Sequence, residues 1–187
     1  MKRISILLLL ILFATPAFAE VVEEEIKDYY SIAGVTRTEI LRNLQRRAPY
    51  KQAGSFVPAF TQTDLKYQIR LKQQGGRCGV DKVTVFLNLT YKYPRLAQHQ
   101  STNTRLWWRD IIKHYTIHEE IHGAISRKWA KELDRTLLSL TDLNCETAWQ
   151  TIKARASYIN RQLQKEQQEY DRITEHGQKQ YRYKGHL

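Results

Sequence analysis

The chain has 187 residues, 30 of them Lys or Arg and 19 Asp or Glu, which gives a formal net charge of +11. This length suits one domain with its own hydrophobic core and leaves little room for two. The positive charge favours anionic surroundings, but the basic residues are spread along the chain instead of forming one tract, as a dedicated polyanion site would require.

The N-terminus has the three parts of a secretory signal: a basic start at Lys2 and Arg3, an apolar run over Ile6–Phe13, and a small-x-small site at Ala17–Ala19. We therefore expect cleavage after residue 19 and one mature domain over residues 20–187, secreted or periplasmic. An uncleaved anchor is the alternative. No later segment reaches the roughly 20 apolar residues of a membrane span, and export disfavours nucleic acid as a partner. Anionic envelope polymers remain possible partners of a mature chain with a net charge of +9.

The chain contains two cysteines, Cys78 and Cys145. In an oxidising compartment an even count most simply predicts one disulfide bond. Free buried thiols and metal thiolates are the alternatives.

The first half of the mature chain predicts one helix between extended segments. Residues 20–27 are acidic and poor in large apolar residues, which suggests a flexible lead-in, and residues 28–34 resemble a first strand. Thr36 followed by Glu39 forms the pattern of a capping box, so a helix should begin there and end near Arg47.

Two segments with alternating apolar residues follow, at Asp64–Lys72 and Asp81–Tyr91. Period-2 alternation predicts half-buried strands, and Gly75-Gly76 between them predicts an antiparallel hairpin. Residues 91–103 look like a polar connection.

The second half of the chain is helical. Apolar residues recur every three or four positions from Thr104 to about Leu140, and again on a charged helix from Thr141 to about Ile173, before a loose tail from about residue 178. The predicted class is thus α+β, with a small antiparallel sheet packed on a helical majority.

The first helix of this half contains the sequence His118-Glu119-Glu120-Ile121-His122. Residues four apart share one face of a helix, so both imidazoles can reach a single ion at the zinc–nitrogen distance of about 2.1 Å. Glu119 lies further around the helix, where it can take a proton from a metal-activated water. Alternatively, His118 and His122 are ordinary helix residues, with Glu119 and Glu120 on a solvated face.

Two histidines leave zinc short of protein ligands, so a third should lie elsewhere. His176 is a candidate, since it stands beside Gly177 at the expected end of the last helix.

With these residues in view, the sequence resembles a bacterial family catalogued as a domain of unknown function and described as predicted secreted zinc-dependent proteases. The shared features span nearly the whole mature chain, and the YDxxTxHG tail motif is the most discriminating. They are Tyr30–Gly34, Cys78–Val80, Trp108, His118–His122, Cys145 and Tyr170–Gly177. The chain departs from the family pattern where Gln180 is followed by Tyr181 instead of glycine.

The resemblance implies a zincin-like active-site helix, a zinc cofactor and peptide-bond hydrolysis. Membership of the tail motif favours His176 as the third zinc ligand over Glu146 and Glu169. A glutamate on the following helix serves in other HExxH enzymes, but neither of these belongs to the expected glutamate-x-x-x-aspartate arrangement. Asp171, in the same motif, is expected to orient an imidazole from outside the metal shell.

The leading functional hypothesis is an exported zinc metallopeptidase acting on a peptide or protein. Residues 83–90 form the strand suspected of pairing with an extended substrate, although this strand could lie inside the sheet. Three tyrosines are candidates for stabilising an oxyanion: Tyr170, Tyr181 and Tyr183. The alternatives are an amidase acting on cell-wall peptides and a non-catalytic binding or scaffold protein with a structural metal or none.

Overall fold

A computed structural model describes residues 21–52, 55–97 and 100–183. The predicted signal over residues 1–19 lies outside these ranges. None of the described helices is long and apolar enough to cross a membrane.

The described part of the chain opens with a long strand. Strand β1 spans Val21–Ile32 and runs parallel to a strand much later in the chain, from Val21 opposite Val85 to Ile32 opposite Leu96. The prediction of a flexible lead-in over residues 20–27 is therefore wrong for the described residues 21–27. Acidic side chains do not prevent pairing there, because Glu23 and Glu25 both contact Arg127 at 2.7 Å.

Helix α1 spans Arg37–Arg47 and begins with the predicted capping box: Thr36 accepts from the Glu39 backbone, and the Glu39 carboxylate accepts from the Thr36 backbone. Its apolar side buries Ile40 and Leu44 against Ile32 and Trp108. Two short strands follow as an antiparallel pair, β2 (Tyr50–Gln52) and β3 (Ser55–Val57).

The predicted hairpin is confirmed, and its strands are longer than the two segments with alternating apolar residues. Strand β4 spans Phe60–Gln74 and strand β5 spans Arg77–Leu96, joined at Gly75 and Gly76 with φ angles of 58° and 79°. These positive φ values suit a two-residue turn that glycine adopts without strain. The predicted polar connection from residue 91 is instead strand as far as Leu96.

The main sheet has the order β1-β5-β4, so β5 is its central strand. Because β1 is parallel to β5 and β4 antiparallel, the sheet is mixed and not purely antiparallel as predicted. The suspicion that residues 83–90 form an edge strand is also wrong. Within the described residues, β4 pairs only with β5, which makes β4 an edge.

Helix α2 spans Thr102–Leu138 as one continuous helix of 37 residues and packs across the sheet. It lies close to β5 at Gly123, where a methyl group would be 1.8 Å from the hydroxyl oxygen of the buried Tyr91. The lack of a side chain at Gly123 is therefore what lets α2 rest on β5. The inward residues of β5 form the core beneath it: Val83, Val85, Leu87, Leu89, Tyr91 and Tyr93.

The last helix starts later than predicted. Leu143–Asn144 forms a short strand, β6, paired with the start of β5, and helix α3 spans Ala148–Thr174. A Cys78–Cys145 disulfide bond joins the start of β5 to the segment just before α3. The structure thus contains the disulfide pair that the cysteine count predicted.

The chain beyond α3 folds back towards α2. A 3-10 helix spans Gln180–Arg182, and the Tyr183 ring packs edge-on against Tyr170, with ring centroids 4.7 Å apart. The tail is therefore ordered up to Tyr183 instead of loose from residue 178. With a mixed sheet and three helices, the architecture is α+β as predicted.

Candidate metal centre

The two histidines of the HExxH sequence project from the same side of α2. His118 is 6% exposed, and its ring centroid lies 4.8 Å from that of His122. Helical spacing of four residues produces this arrangement, as predicted.

Asp171 of α3 is the residue brought to both imidazoles. Its Oδ1 atom lies 3.1 Å from Nε2 of His118 and 3.1 Å from Nε2 of His122. The two Nε2 atoms are themselves 3.3 Å apart. One carboxylate oxygen and two imidazole nitrogens thus form a nearly equilateral triangle.

The triangle fits a zinc ion. Tetrahedral zinc with bonds of about 2.0–2.2 Å holds neighbouring ligand atoms roughly 3.3–3.5 Å apart. The three separations of 3.1, 3.1 and 3.3 Å fall within a few tenths of an ångström of that range. Two imidazoles and one carboxylate also match the donor types of catalytic zinc sites, which keep a fourth position open.

Side-chain amides contact the opposite nitrogen of each imidazole. Nδ1 of His122 is hydrogen-bonded to Oε1 of Gln167, and Nδ1 of His118 lies 3.1 Å from Oε1 of Gln180. Such contacts behind a metal ligand fix the ring orientation and the position of its proton.

The charges of the triangle are strongly coupled. Burial alone would raise the pKa of Asp171, but hydrogen bonds from His118 and His122 hold it well below its usual range. Burial alone would lower the pKa of His122, yet the Asp171 carboxylate raises it above the ordinary value. The site therefore favours a carboxylate paired with positive charge.

Glu119 is buried next to the triangle. It is 4% exposed, and the Thr61 hydroxyl of β4 donates to its Oε2 atom at 2.8 Å. Burial raises the pKa of Glu119, and the neighbouring His122 and His118 oppose that rise. Glu120, one residue later, is exposed.

His176 stands near the triangle but outside it. Its Nδ1 atom is 3.7 Å from Oδ1 of Asp171, its side chain is 59% exposed, and it is not one of the three residues whose ligand atoms converge. Asp171, in turn, contacts the metal-facing Nε2 atoms and not the distal nitrogens that an orienting residue would contact. Asp171 and not His176 thus completes the convergent group, while the assignment of the third zinc ligand stays a prediction.

The rival glutamates lie away from the triangle. Glu169 is paired with Arg172 at 2.6 Å on the exposed side of α3. Glu146 is exposed, and its backbone N–H donates to the Asn144 side chain ahead of α3. Neither contacts His118 or His122.

The segment after α3 packs closely against the His118 ring. Glu175, His176 and Gly177 all have positive φ angles, of 50°, 52° and 87°. A methyl group on Gly177 would lie 3.1 Å from the His118 ring. His114, one turn before His118, donates from Nε2 to the Gly177 carbonyl.

Of the three tyrosines considered for oxyanion stabilisation, Tyr170 packs against His118 and Tyr183 packs behind Tyr170. Tyr170 is 1% exposed, stacks on His118 at 4.7 Å and donates to Gln180 at 2.7 Å, while Tyr183 packs on Tyr170. The side chain of Tyr181 lies outside the described part of the chain.

Gln167, Gln180 and Thr61 were not identified from the sequence. Gln180 lies just after the tail motif, and the sequence analysis named it only as the residue before Tyr181. Gln167 precedes Asp171 by one helical turn, but no motif includes it. Thr61 comes from a different strand, and its approach to Glu119 depends on how α2 lies on the sheet.

A family model described as "Bacterial protein of unknown function (DUF922)" matches residues 27–177. No curated protein and no solved structure matches the chain. The matched region contains the second half of β1, the hairpin, α2, α3 and every member of the triangle. Because the match covers most of the chain, the protein belongs to this bacterial family, DUF922.

Proposed function

We propose that the protein is an exported zinc-dependent metallopeptidase in which His118, His122 and Asp171 hold the metal. The observation that carries the proposal is the convergence of three ligand atoms, separated by 3.1, 3.1 and 3.3 Å, beside a buried glutamate. An ion pair alone explains the Asp171 contacts less well, because it gives no reason for two Nε2 atoms to face each other.

Bound zinc supplies Lewis-acid polarisation of a substrate carbonyl and increases the acidity of water. Glu119 is the general base: its carboxylate accepts a proton from water and later returns it to the leaving amine. The Thr61 hydroxyl holds Oε2 of Glu119, so the carboxylate is oriented before substrate arrives. A raised pKa brings this base closer to the pH at which it must exchange protons.

The proposal uses Asp171 as the third ligand, and His176 remains a prediction for that position. His176 is exposed at the margin of the triangle, within 3.7 Å of Asp171. From that position it can contact a substrate without taking a place in the metal shell.

The edge position of β4 supports an extended peptide as substrate. Thr61 belongs to this strand and also binds Glu119, so the strand and the base are adjacent. A peptide that adds its backbone to the outer side of β4 would bring its carbonyl groups past the base.

Metal analysis of the purified chain, followed by digestion of an unstructured protein with and without chelator, tests the proposal. We expect one zinc per chain and cleavage that stops on chelation and returns with added zinc. Tight zinc without cleavage would favour the non-catalytic binding protein. A chain that binds no zinc would exclude the metallopeptidase.

A further inference from the structure

We infer that Gln167 is a positioning residue that keeps the proton of His122 on Nδ1, leaving Nε2 to face the cation site. The consequence for zinc rests on the proposed function. The placement of the proton does not, because it follows from hydrogen bonds within the chain.

Gln167 contacts His122 twice. It lies on α3 exactly one turn before Asp171, so both side chains point towards α2. Its Oε1 atom is hydrogen-bonded to Nδ1 of the His122 ring, while its Nε2 atom lies 3.0 Å from the His122 backbone carbonyl. One amide therefore holds both the ring and the backbone of the same residue.

The backbone contact determines which way the amide faces. A carbonyl oxygen can only accept a hydrogen bond, so the NH₂ group of Gln167 must be the side that faces it. The other proton of this NH₂ group points to Oγ of Ser126, also 3.0 Å away. A flipped amide would set two acceptor oxygens against each other.

Once the amide is fixed, the tautomer of His122 follows. Oε1 of Gln167 can only accept, so Nδ1 of His122 must carry a proton to donate. In a neutral ring the lone pair is then on Nε2; when that atom is protonated as well, it donates to Oδ1 of Asp171, 3.1 Å away.

The amide is held by two linked hydroxyls, one buried and one partly buried. Ser126 is fully buried, donates to the His122 carbonyl at 3.0 Å, and lies 2.7 Å from the Thr63 hydroxyl of β4. The proton position on His122 is therefore determined jointly by β4, α2 and α3.

The corresponding amide of Gln180 does not allow the same deduction. Its Oε1 atom faces His118 Nδ1 at 3.1 Å and the Tyr170 hydroxyl at 2.7 Å. A hydroxyl can accept as well as donate, so it does not fix the direction of an amide. The assignment is therefore made for Gln167.

The test is nitrogen-15 NMR of the histidine rings in the full chain, metal-free and zinc-loaded, with three variants. We expect a protonated Nδ1 on His122 in the parent in both states. Gln167→Glu should retain it, because a carboxylate also accepts. Gln167→Met, of similar length but without an acceptor, should lose it and weaken zinc binding by about 10–100-fold. Gln168→Met, on the exposed side of the same helix turn, should leave both measurements unchanged.

An unprotonated Nδ1 on His122 in the parent overturns the inference, and so does a Gln167→Met variant whose ring spectrum and zinc affinity equal those of the parent. If Gln167→Met does not fold, the parent and Gln167→Glu spectra decide. A parent that keeps the Nδ1 proton but binds no zinc would refute the proposed function and leave this assignment standing.

Discussion

Glu119 and Glu120 are neighbours in the chain with opposite environments. Glu119 is 4% exposed and bound by Thr61, whereas Glu120 is on the solvent side of α2. The helix rotates each successive residue by about 100°, so only the first of the two points at the triangle. This pair provides a matched test of the proposed base.

We predict that Glu119→Gln abolishes hydrolysis while zinc remains bound, because an amide cannot accept the proton of water. A loss of at least about 100-fold in kcat is the expected scale for a general base. Glu120→Gln should change kcat little. Peptide hydrolysis and metal content, measured on the same preparations, check both results. Near-normal turnover by Glu119→Gln would remove this residue from the mechanism.

Asp171 and His176 compete for the third ligand position. We predict that Asp171→Ala weakens zinc binding by more than about 100-fold, since it removes the oxygen 3.1 Å from both Nε2 atoms. His176→Ala should retain stoichiometric zinc, because its side chain lies outside the triangle. Competition with a chelator of known affinity measures both. The reverse result would restore His176 as the ligand.

At the scale of elements, the contact between α2 and β5 depends on Gly123. We predict that Gly123→Ala lowers the free energy of unfolding by about 1–2 kcal/mol, although alanine is the better helix former by about 1 kcal/mol. The added methyl would lie 1.8 Å from the hydroxyl oxygen of Tyr91, whose buried ring has little room to move. Denaturant unfolding measures the change.

A background with Tyr91→Phe is the control for this prediction. Without the hydroxyl, the nearest atom to the new methyl is the ring carbon at 2.9 Å, so the penalty should shrink. If Gly123→Ala costs the same with and without the hydroxyl, the close approach to Tyr91 is not its cause.

Elements with strong local patterns were predictable from the sequence. The alternation of β4 and β5 with Gly75-Gly76, the capping box at Thr36, and the long apolar period of α2 all gave the right element type. The first half of β1 was missed because its pairing partner lies 64 residues later, and its Glu23 and Glu25 pair with Arg127 of the distant helix α2. Leu143 of β6 was assigned to a helix because its pairing with Cys78 of β5 is likewise non-local.

The site was predictable only along one helix. The spacing of His118, Glu119 and His122 places them correctly because a single helix determines it. Which residue of α3 meets them depends on how far α3 is shifted along α2, and no local pattern encodes that register. The motif did include Asp171, but the sequence could not tell that a carboxylate rather than His176 enters the triangle.

At the scale of the whole molecule, the disulfide closes a loop between residues 67 positions apart. We predict that replacing Cys78 and Cys145 with serine lowers the free energy of unfolding by about 4 kcal/mol, since the chain-entropy model assigns that value to a loop of this length. Denaturant unfolding of parent and variant checks the loss. Alkylation of the unreduced parent should leave its mass unchanged, and two added labels would show that the bond is absent.

Helix α3 is attached to the rest of the protein by a different chemistry at each end. The disulfide at Cys145 precedes its first turn, and Asp171 joins the histidines of α2 in its last turn. The covalent attachment is sensitive to thiol reductants, and the proposed metal attachment is sensitive to chelators and acid. Each treatment should therefore release one end of α3 while the other end remains anchored. A reductant should fray the helix from its N-terminus, and a chelator or acid from its C-terminus. A compartment that is both reducing and poor in zinc would release both ends, so α3 keeps an anchor only where the surroundings are oxidising or supply metal.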